Sequence, residues 1–499
     1  MPPTAYSRKA GSSGPCAIVA GTGDGSVVRR AARDYIRVIA LCLPGETVIH
    51  DFPKNVFQFV IASIHDASFI VSKAFGYMGH TAELEATDFY HSHPIAIDES
   101  VRVNFCRLFY GVLSERPLTM GDDVIDGMQG AYHAALQAHM LVRAPTPDEL
   151  APMTCPAICI GSGPSLADHL DELRALQGKA LIICADSALE GLLKAGITPH
   201  MVTPLERVWT TLAMFPRKHY PGVVFAGASA VHQDVAAKFD KHLSIPGSDV
   251  LFTWQGYRQD QLFFYGQSTG VASVALAAKL TSGAIYLVGH DLAFRDNVSH
   301  WDGYHQAYQL GSGVERLTIE GHDGKEVQTQ RLWITFRDEI SDTARATGRV
   351  ANVNAVTGVG AAITGTLALG LPDPATLPDF ALPAWPEPND ARADAFADVL
   401  ERLPRDARAV LAGLSRERLT ISDIDFSSLC PSRNAQMFGY VFRSIIGQFS
   451  MQSMTGQDPT EGAQQCAQAI CNAMRGILPL IDEMGTAPLV RERELVGAP

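Results

Sequence analysis

The sequence predicts an α/β protein with a central, mostly parallel sheet, preceded by a Rossmann-like domain and followed by an α-helical domain. From Cys155 to about Gly370, short apolar segments alternate with segments of helical length. A strand, a Gly-x-Gly turn and a helix follow one another twice, near residues 17–34 and 157–176. Beyond residue 389 the apolar residues recur at helical spacing instead.

These patterns divide the chain of 499 residues into four parts. Residues 1–148 form the Rossmann-like domain, and residues 149–370 form the central sheet domain. The proline-rich stretch 371–388 has the composition of a semi-rigid linker. Residues 389–499 complete the chain as a helical domain.

Composition excludes several functions. A net charge of −13 argues against a nucleic-acid partner, which needs a basic face. No apolar run reaches the roughly 18 residues that span a bilayer, and the N-terminus lacks a secretory signal. Several of the nine cysteines lie in apolar runs, which suits a reducing compartment. We therefore expect a cytoplasmic protein.

The first glycine turn lies in the N-terminal domain. Residues 17–20 form a strand, Gly21-Thr-Gly-Asp-Gly25 a turn, and residues 37–43 the second strand. A Rossmann cofactor site usually has an acidic residue at the end of that second strand, to hold ribose hydroxyls. Here Glu46 comes only after a further turn. We therefore predict a degenerate, structural domain and prefer it to a working cofactor site.

The remaining elements follow from local pattern. Residues 55–61 and 67–71 are expected to continue the first domain as a helix and a strand, and residues 128–143 as a helix. In the central domain the predicted strands are 157–160, 180–184, 201–203, 222–226 and 284–288, with helices of a length suited to right-handed crossovers between them.

The second glycine turn, Gly161-Ser-Gly-Pro-Ser165, separates the strand at 157–160 from a helix predicted over 166–176. Glycine lets the backbone approach a ligand closely, and a helix N-terminus attracts phosphate. The pattern therefore indicates a nucleotide or sugar-nucleotide site. It lacks the Lys-Ser/Thr of a P-loop and the third glycine of a dinucleotide fingerprint. A simple tight turn stays an alternative.

Other polar residues are predicted at the same sheet edge. Asp186 and Ser187 end the next strand, and Glu206 follows the third. The motif Ser268-Thr269 opens a helix. Another strand ends in Gly289-His290-Asp291, and His300 follows in a loop.

Several motifs resemble the motility-associated factor (Maf) proteins, which are bacterial flagellin glycosyltransferases. They are Ile160–Ser165, Ala185–Leu189 with Leu192–Pro199, Tyr286–Phe294, Gly324–Thr329 and Val353–Gly365, in the order of that family. The chain departs from the family at Thr357–Gly360, where an acidic residue often precedes the glycines, and at His290, which is commonly Gln.

The resemblance implies a central fold similar to bacterial sialyltransferases (GT-A-like). It also implies transfer of a nonulosonic acid, pseudaminic or legionaminic acid, from a CMP-activated donor to Ser or Thr of flagellin, in support of flagellar assembly and motility. No cofactor is required, and no metal site is expected, although Asp302 could hold a metal with Asp291.

The resemblance also implies roles for individual residues. Donor-binding residues would be Gly161, Ser162, Gly163, Pro164, Ser165, Asp186, Ser187, Ser268, Thr269, Gly289, His290 and Asn354. Candidates for the general base that activates the acceptor hydroxyl are Asp291, His300 and Glu206, with His290 as a further one. Structural roles stay possible for each: Asp291 as a loop-ordering acceptor, His300 as a solvated loop residue, Glu206 as an ion pair with Arg207.

Two other functions fit the same sequence. A pterin pyrophosphokinase resembles the central domain but would need carboxylates for magnesium and no extra domains. A non-catalytic assembly factor would bind flagellin through residues 389–499. Product formation from ATP and a pterin would support the first, and flagellin capture without transfer would support the second.

Overall fold

The computed structural model describes residues 4–5, 16–35, 37–43, 45–60, 88–91, 124–247, 250–302, 316–416, 424–442, 445 and 459–497. The chain forms two compact units, each described by itself. The first comprises Met1–Met128 and Pro404–Ile481, and the second comprises Gln129–Leu403 and Asp482–Pro499. The domain boundaries expected from the sequence stay predictions.

The first unit contains a parallel sheet of five strands. They are β1 (Thr4–Ala5), β2 (Cys16–Ala20), β3 (Arg37–Cys42), β4 (Val56–Val60) and β5 (Asp88–His91), in the order β1-β5-β2-β3-β4. Helix α1 (Ser26–Asp34) follows β2 and packs Val28 and Ala31 against the sheet. The predicted strand, glycine turn and helix are therefore present.

The prediction of a helix at residues 55–61 is wrong, because residues 56–60 of this segment form strand β4. It runs parallel to β3, with Val56 opposite Val38. The segment Val-Phe-Gln-Phe-Val is rich in β-branched and aromatic residues, which favour a pleated, half-buried surface. The strand expected at 67–71 lies outside the described residues.

The second unit contains a parallel sheet of seven strands, which confirms the predicted α/β class. The strands are β6 (Ala157–Ile160), β7 (Leu181–Ala185), β8 (Met201–Thr203), β9 (Val224–Gly227), β10 (Lys241–Ser244), β11 (Ile285–Val288) and β14 (Val350–Asn352). Their order is β10-β9-β8-β7-β6-β11-β14. An antiparallel hairpin of β12 (Leu317–Glu320) and β13 (Glu326–Thr329) lies between β11 and β14 in the chain.

Helices connect and cover these strands. They are α2 (Val124–Leu136), α3 (Leu170–Ala175), α4 (Asp186–Lys194), α5 (Gln233–Ala236), α6 (Val250–Gln255), α7 (Thr269–Leu280), α8 (Arg331–Thr347) and α9 (Asn354–Thr357), with a π-helical turn at Ala138–Val142. The helix expected at 166–176 is a 3-10 helix, Pro164–His169, followed by α3. No helix in the described ranges is both long and apolar enough to cross a membrane.

Side chains alternate between the two faces of the central sheet. On β6, Ile158 and Ile160 join one buried apolar cluster, whereas Ala157 and Cys159 join the other. Residues of α3 and α4 cover the first face, and residues of α7 and α8 cover the second. This period-two burial on both faces is typical of a parallel sheet between helical layers.

The C-terminal part of the chain is helical, as predicted. Its helices are α10 (Asp390–Leu414), α11 (Phe426–Leu429), a segment over 434–442 and α12 (Pro459–Gly497). The predicted apolar stripe of α10 is buried, with Phe396, Leu400 and Leu403 fully inaccessible. The pattern predicted that these side chains belong to a hydrophobic core, and they are buried in the structure.

The proline-rich segment 371–388 packs along the second unit. Phe380 donates its N–H to Gly178 O at 2.7 Å, and its ring lies edge-on to His200. Lys179 pairs with Asp379 at 2.7 Å. These contacts tie Asp379 and Phe380 to the loops that precede β7 and β8.

The order of strands in the central sheet reverses between β6 and β11. The chain moves from β6 outwards to β10 on one side, then returns to place β11 and β14 on the other. Ile160 and Val288 are paired at the carboxyl ends of these two strands. A ligand crevice is expected beyond such a switch point in an open α/β sheet.

Candidate functional site

A cavity of about 140 Å³ opens at this switch point. The loops after β6 and β11 and the start of α7 form much of its wall. Its lining residues are Gly161, Ser162, Gly163, Ala185, Ser187, Ser268, Thr269, Gly270, Val271, Gly289, His290, Leu292, Ser299, His300, Trp333, Phe336 and Ile340.

The glycine turn 161–165 is fastened to the end of β11. Gly161 N–H donates to Val288 O at 2.9 Å, and Gly163 N–H donates to Gly289 O at 2.8 Å. A Cβ on Gly161 would lie only 2.6 Å from Gly289 O, so this close approach requires glycine. Because these N–H groups already have acceptors, hydroxyls of the cavity wall are better placed to bind an anion.

One wall of the cavity carries hydroxyl groups. Ser187 Oγ donates to Ser162 Oγ at 2.8 Å, which leaves the Ser162 proton available for a ligand. Thr269 Oγ1 donates to Asp186 Oδ1 at 2.9 Å, just behind the wall. The backbone on this side is held by Trp301 N–H, which donates to Ser162 O.

The N-terminus of α7 faces the same cavity. Ser268 caps this helix of twelve residues by accepting a hydrogen bond from Val271 N–H at 3.1 Å. Thr269 and Gly270, in its first turn, line the cavity. The positive end of the helix dipole therefore adjoins the hydroxyl wall, an arrangement that favours a bound anion.

Another part of the cavity wall is apolar and comes from α8. Trp333, Phe336 and Ile340 are spaced i, i+3 and i+7 and line the cavity together. The Trp333 ring packs 4.8 Å from the Phe294 ring, centroid to centroid. Sequence reasoning missed this wall, although the spacing of its residues at helical period was a signal that could have found it.

Two predicted histidines line the cavity. His300 Nδ1 lies 2.9 Å from Ser299 Oγ, and burial lowers the pKa of His300 to about 4. His290 Nδ1 lies 3.1 Å from Val288 O, and Nε2 lies 3.4 Å from Gly270 O. Burial also lowers the pKa of His290. Both side chains are therefore neutral imidazoles at neutral pH.

Four predicted residues lie directly behind the wall. Asp291 accepts hydrogen bonds from Ser165 and from Asn354 Nδ2. Asp186 accepts from Thr269, and burial, with a smaller effect of Glu206, raises the pKa of Asp186 to about 6. These side chains contact lining residues or their neighbours.

The remaining predicted residues are not part of the lining. Pro164 begins the 3-10 helix after the glycine turn. Glu206 is exposed beyond the end of β8. The cavity thus brings together Gly161, Ser162, Gly163, Ser187, Ser268, Thr269, Gly289, His290 and His300. Their roles stay predictions.

The part of the chain that the structure describes contains no cluster of side chains suited to bind a metal ion. No group of three or more His, Cys, Asp or Glu side chains comes together there in a way that could hold an ion. The arrangement at the switch point instead combines hydroxyls, a helix N-terminus, neutral imidazoles and an aromatic wall. This set can bind a partly apolar anionic ligand.

The fold and the cavity define an α/β protein with a candidate ligand site at the switch point of a parallel sheet. Residues 137–297 match the family described as 6-hydroxymethylpterin diphosphokinase MptE-like. A curated relative, 6-hydroxymethyl-7,8-dihydropterin pyrophosphokinase of Methanothermobacter thermautotrophicus, is 29% identical over 191 residues, which are 38% of this chain and 78% of that protein.

Among solved structures, the chain is similar to a Maf glycosyltransferase from Magnetospirillum magneticum AMB-1. The alignment covers 96% of this chain and 80% of that one, with a TM-score of 0.54 and 13% sequence identity. Likeness at this identity is a likeness of fold. It confirms that the resemblance to Maf proteins expected from the central motifs extends to the architecture.

Proposed function

We propose that this chain is a protein O-glycosyltransferase of the Maf type. It would transfer a nonulosonic acid, pseudaminic or legionaminic acid, from a CMP-activated donor to Ser or Thr of flagellin. The observation that carries this proposal is the cavity, where a hydroxyl wall meets a helix N-terminus. The architecture shared with a Maf glycosyltransferase supports the same conclusion.

The donor phosphodiester would lie between Ser162, Ser187 and the first turn of α7. Transfer breaks the bond between the anomeric carbon and the phosphate oxygen, through an oxocarbenium-like transition state. Negative charge then develops on the departing CMP. The Ser162 hydroxyl and the backbone N–H groups of Thr269 and Gly270, in the first turn of α7, would be preorganised donors that stabilise that charge where it forms.

The acceptor hydroxyl would lose its proton to His300. This imidazole lines the cavity and is neutral at neutral pH, because its pKa is held at about 4. A weak base is adequate when the sugar carbon is already strongly electrophilic and the proton leaves as the new C–O bond forms. The acceptor oxygen becomes bonded to the anomeric carbon, and CMP leaves as the anion.

The test is transfer with the purified full chain. Flagellin and either CMP-pseudaminic or CMP-legionaminic acid are incubated with the protein, and intact flagellin is weighed by mass spectrometry. We expect a mass increase of one or more nonulosonic acid residues and release of CMP. If folded protein that binds CMP produces neither with either donor, the proposal is wrong.

The family match and the curated relative favour a second candidate, pterin pyrophosphokinase activity. Incubation with ATP, magnesium and 6-hydroxymethyl-7,8-dihydropterin would then release AMP. Equal release from the wild type and from a Ser162→Ala, Thr269→Val variant would show that this activity, if present, does not use the cavity wall. A cytoplasmic location stays a prediction.

A further inference from the structure

Asp291 follows β11 and is 2% exposed, at the carboxyl edge of the central sheet. Its Oδ2 accepts the Ser165 N–H at 2.8 Å. Its Oδ1 accepts both the Ser165 hydroxyl and Asn354 Nδ2, the latter at 2.8 Å. Both oxygens of the carboxylate are thus engaged by neighbouring loops.

The surrounding backbone leaves Asp291 little freedom to move. Ala361 N–H donates to Asp291 O at 2.8 Å. A Cβ on Gly163 would lie 2.8 Å from the Asp291 carboxyl carbon, and a Cβ on Gly360 would lie 2.6 Å from Asp291 O. Close packing on both sides fixes the carboxylate against the glycine turn.

A general base must come within about 2.6–3.2 Å of the proton that it removes, directly or through one water. Asp291 is absent from the cavity lining, whereas its neighbours His290 and Leu292 are part of it. Its side-chain hydrogen bonds go to Ser165 and Asn354, and neither of these residues is part of the cavity lining.

We propose that Asp291 is a positioning residue that holds the Gly161–Ser165 turn on the end of β11, so that Ser162 faces the cavity. Asn354 completes the arrangement by donating from Nδ2 to Asp291 Oδ1, the oxygen that also accepts the Ser165 hydroxyl. The exclusion of Asp291 as the base rests on the proposed transferase function. The positioning role rests on the hydrogen bonds alone.

Two substitutions separate positioning from base catalysis. Asp291→Asn keeps the size of the side chain. If the Asn354 amide flips, the new amide can donate to Asn354 Oδ1, which is buried and has no hydrogen-bond partner among the described residues. Asp291→Ala removes every acceptor of the side chain. Asp240→Asn, an exposed carboxylate that pairs with His219, is the matched control.

The first measurement is hydrogen exchange by mass spectrometry in peptides covering residues 161–170. We expect exchange in Asp291→Ala to be at least tenfold faster than in the wild type and in Asp240→Asn, with a smaller change in Asp291→Asn. Unchanged exchange in Asp291→Ala would overturn the positioning role, whether or not the protein transfers a sugar.

The second measurement is transfer and CMP affinity. Positioning predicts that Asp291→Asn keeps kcat within about tenfold of the wild type, and that Asp291→Ala weakens CMP binding more than tenfold. Base catalysis predicts that Asp291→Asn loses a factor on the order of 10²–10⁴ in kcat with unchanged exchange and CMP affinity. That second pattern would overturn the proposal, and a wild type without transfer would contradict only the proposed function.

Discussion

Thr269 donates its hydroxyl hydrogen bond to Asp186 Oδ1 at 2.9 Å and so connects the start of α7 to the end of β7. Ser187 N–H donates to the same oxygen at 2.7 Å. The carboxyl group is nevertheless buried, and burial raises its pKa from 3.8 to about 6. Its ionised form is therefore less favourable in the folded protein than in the unfolded chain.

This pKa shift predicts that Asp186→Asn increases the free energy of unfolding, by an amount that depends on pH. Because its pKa is raised in the folded protein, the carboxyl group of the wild type contributes its full share of stability only below about pH 4. That contribution is lost as the pH rises through about 6. The amide removes the cost of the buried charge and can still accept both hydrogen bonds. We expect the variant to be more stable by up to about 3 kcal/mol at pH 8.

Chemical unfolding at pH 8 and at pH 4 checks this prediction. The gain in stability should shrink to about 0.5 kcal/mol at pH 4, because the carboxyl group is then protonated in the folded state and close to its ordinary pKa of 3.8 in the unfolded chain. Asp240→Asn, at an exposed position, is the control and should change little at either pH. Equal stability of Asp186→Asn and the wild type at pH 8 would contradict the prediction.

Two serines of the glycine turn should differ in their effect on the donor. The sequence alone predicts that Ser162→Ala combined with Ser165→Ala weakens binding of the CMP-sugar more than tenfold. In the structure, Ser162 lines the cavity, whereas the Ser165 hydroxyl donates to Asp291. We therefore expect Ser162→Ala alone to weaken binding roughly tenfold, by loss of a charge-assisted hydrogen bond.

Calorimetry with CMP measures the two single variants separately. Ser165→Ala should act through the glycine turn and also lower the stability of the fold. The control is Ser415→Ala, because that residue follows α10 and its hydroxyl donates to Leu411 O in the last turn of the helix. Unchanged CMP affinity in Ser162→Ala would remove the hydroxyl wall from the donor site.

The sequence predicted the class of fold and most strands of the central sheet, because buried parallel strands are short, continuous apolar runs. It missed β10 and β14. Strand β10 reads Lys-His-Leu-Ser and has no such run, and β14 reads Val-Ala-Asn, in which Ala and Asn are residues depleted in strands. Strand pairing, and not local composition, defines these two elements.

The site was predictable in part for a similar reason. Parallel strand ends share one edge, so residues after β6 and β11 could be placed together from the sequence. The Asp291–Ser165 hydrogen bonds could not be predicted from the sequence, because they depend on how two loops that are distant in the chain fit together. The helical spacing of Trp333, Phe336 and Ile340 could indicate an apolar face on α8, but not that this face lines the cavity, because α8 lies far from the glycine turn in the chain.

Trp333 should keep water away from His300. The two rings lie edge-on, with centroids 6.1 Å apart, and Trp333 is 8% exposed. Removing the indole in Trp333→Ala would hydrate His300, so the pKa of His300 should rise from about 4 towards 6.5. Lost packing should also reduce the stability of the fold by about 3 kcal/mol.

An NMR titration of the histidine ring signals, assigned with a His300→Asn variant, measures the pKa of His300 directly. Trp333→Phe keeps an aromatic ring and should leave the pKa closer to that of the wild type. A pKa that stays near 4 in Trp333→Ala would show that other neighbours exclude water from this imidazole.

In the first unit, the Glu46 carboxylate occupies the glycine turn before α1. It accepts hydrogen bonds from Thr22 N–H at 2.8 Å, Gly23 N–H at 3.0 Å and Leu43 N–H at 2.8 Å. The N–H groups of Thr22 and Gly23 belong to the turn that a cofactor phosphate would otherwise meet. The arrangement gives a physical reason for a degenerate, structural domain.

Glu46→Ala should therefore destabilise the first unit, because three N–H groups lose their acceptor. We expect a loss of about 2–3 kcal/mol in thermal or urea unfolding, and a smaller loss in Glu46→Gln, whose amide oxygen still accepts. Formate or sulfate should raise the melting temperature of Glu46→Ala more than that of the wild type, since a small anion can replace the carboxylate. Binding of S-adenosylmethionine or NAD to the wild type, abolished by Gly23→Val, would instead show that the turn still holds a cofactor.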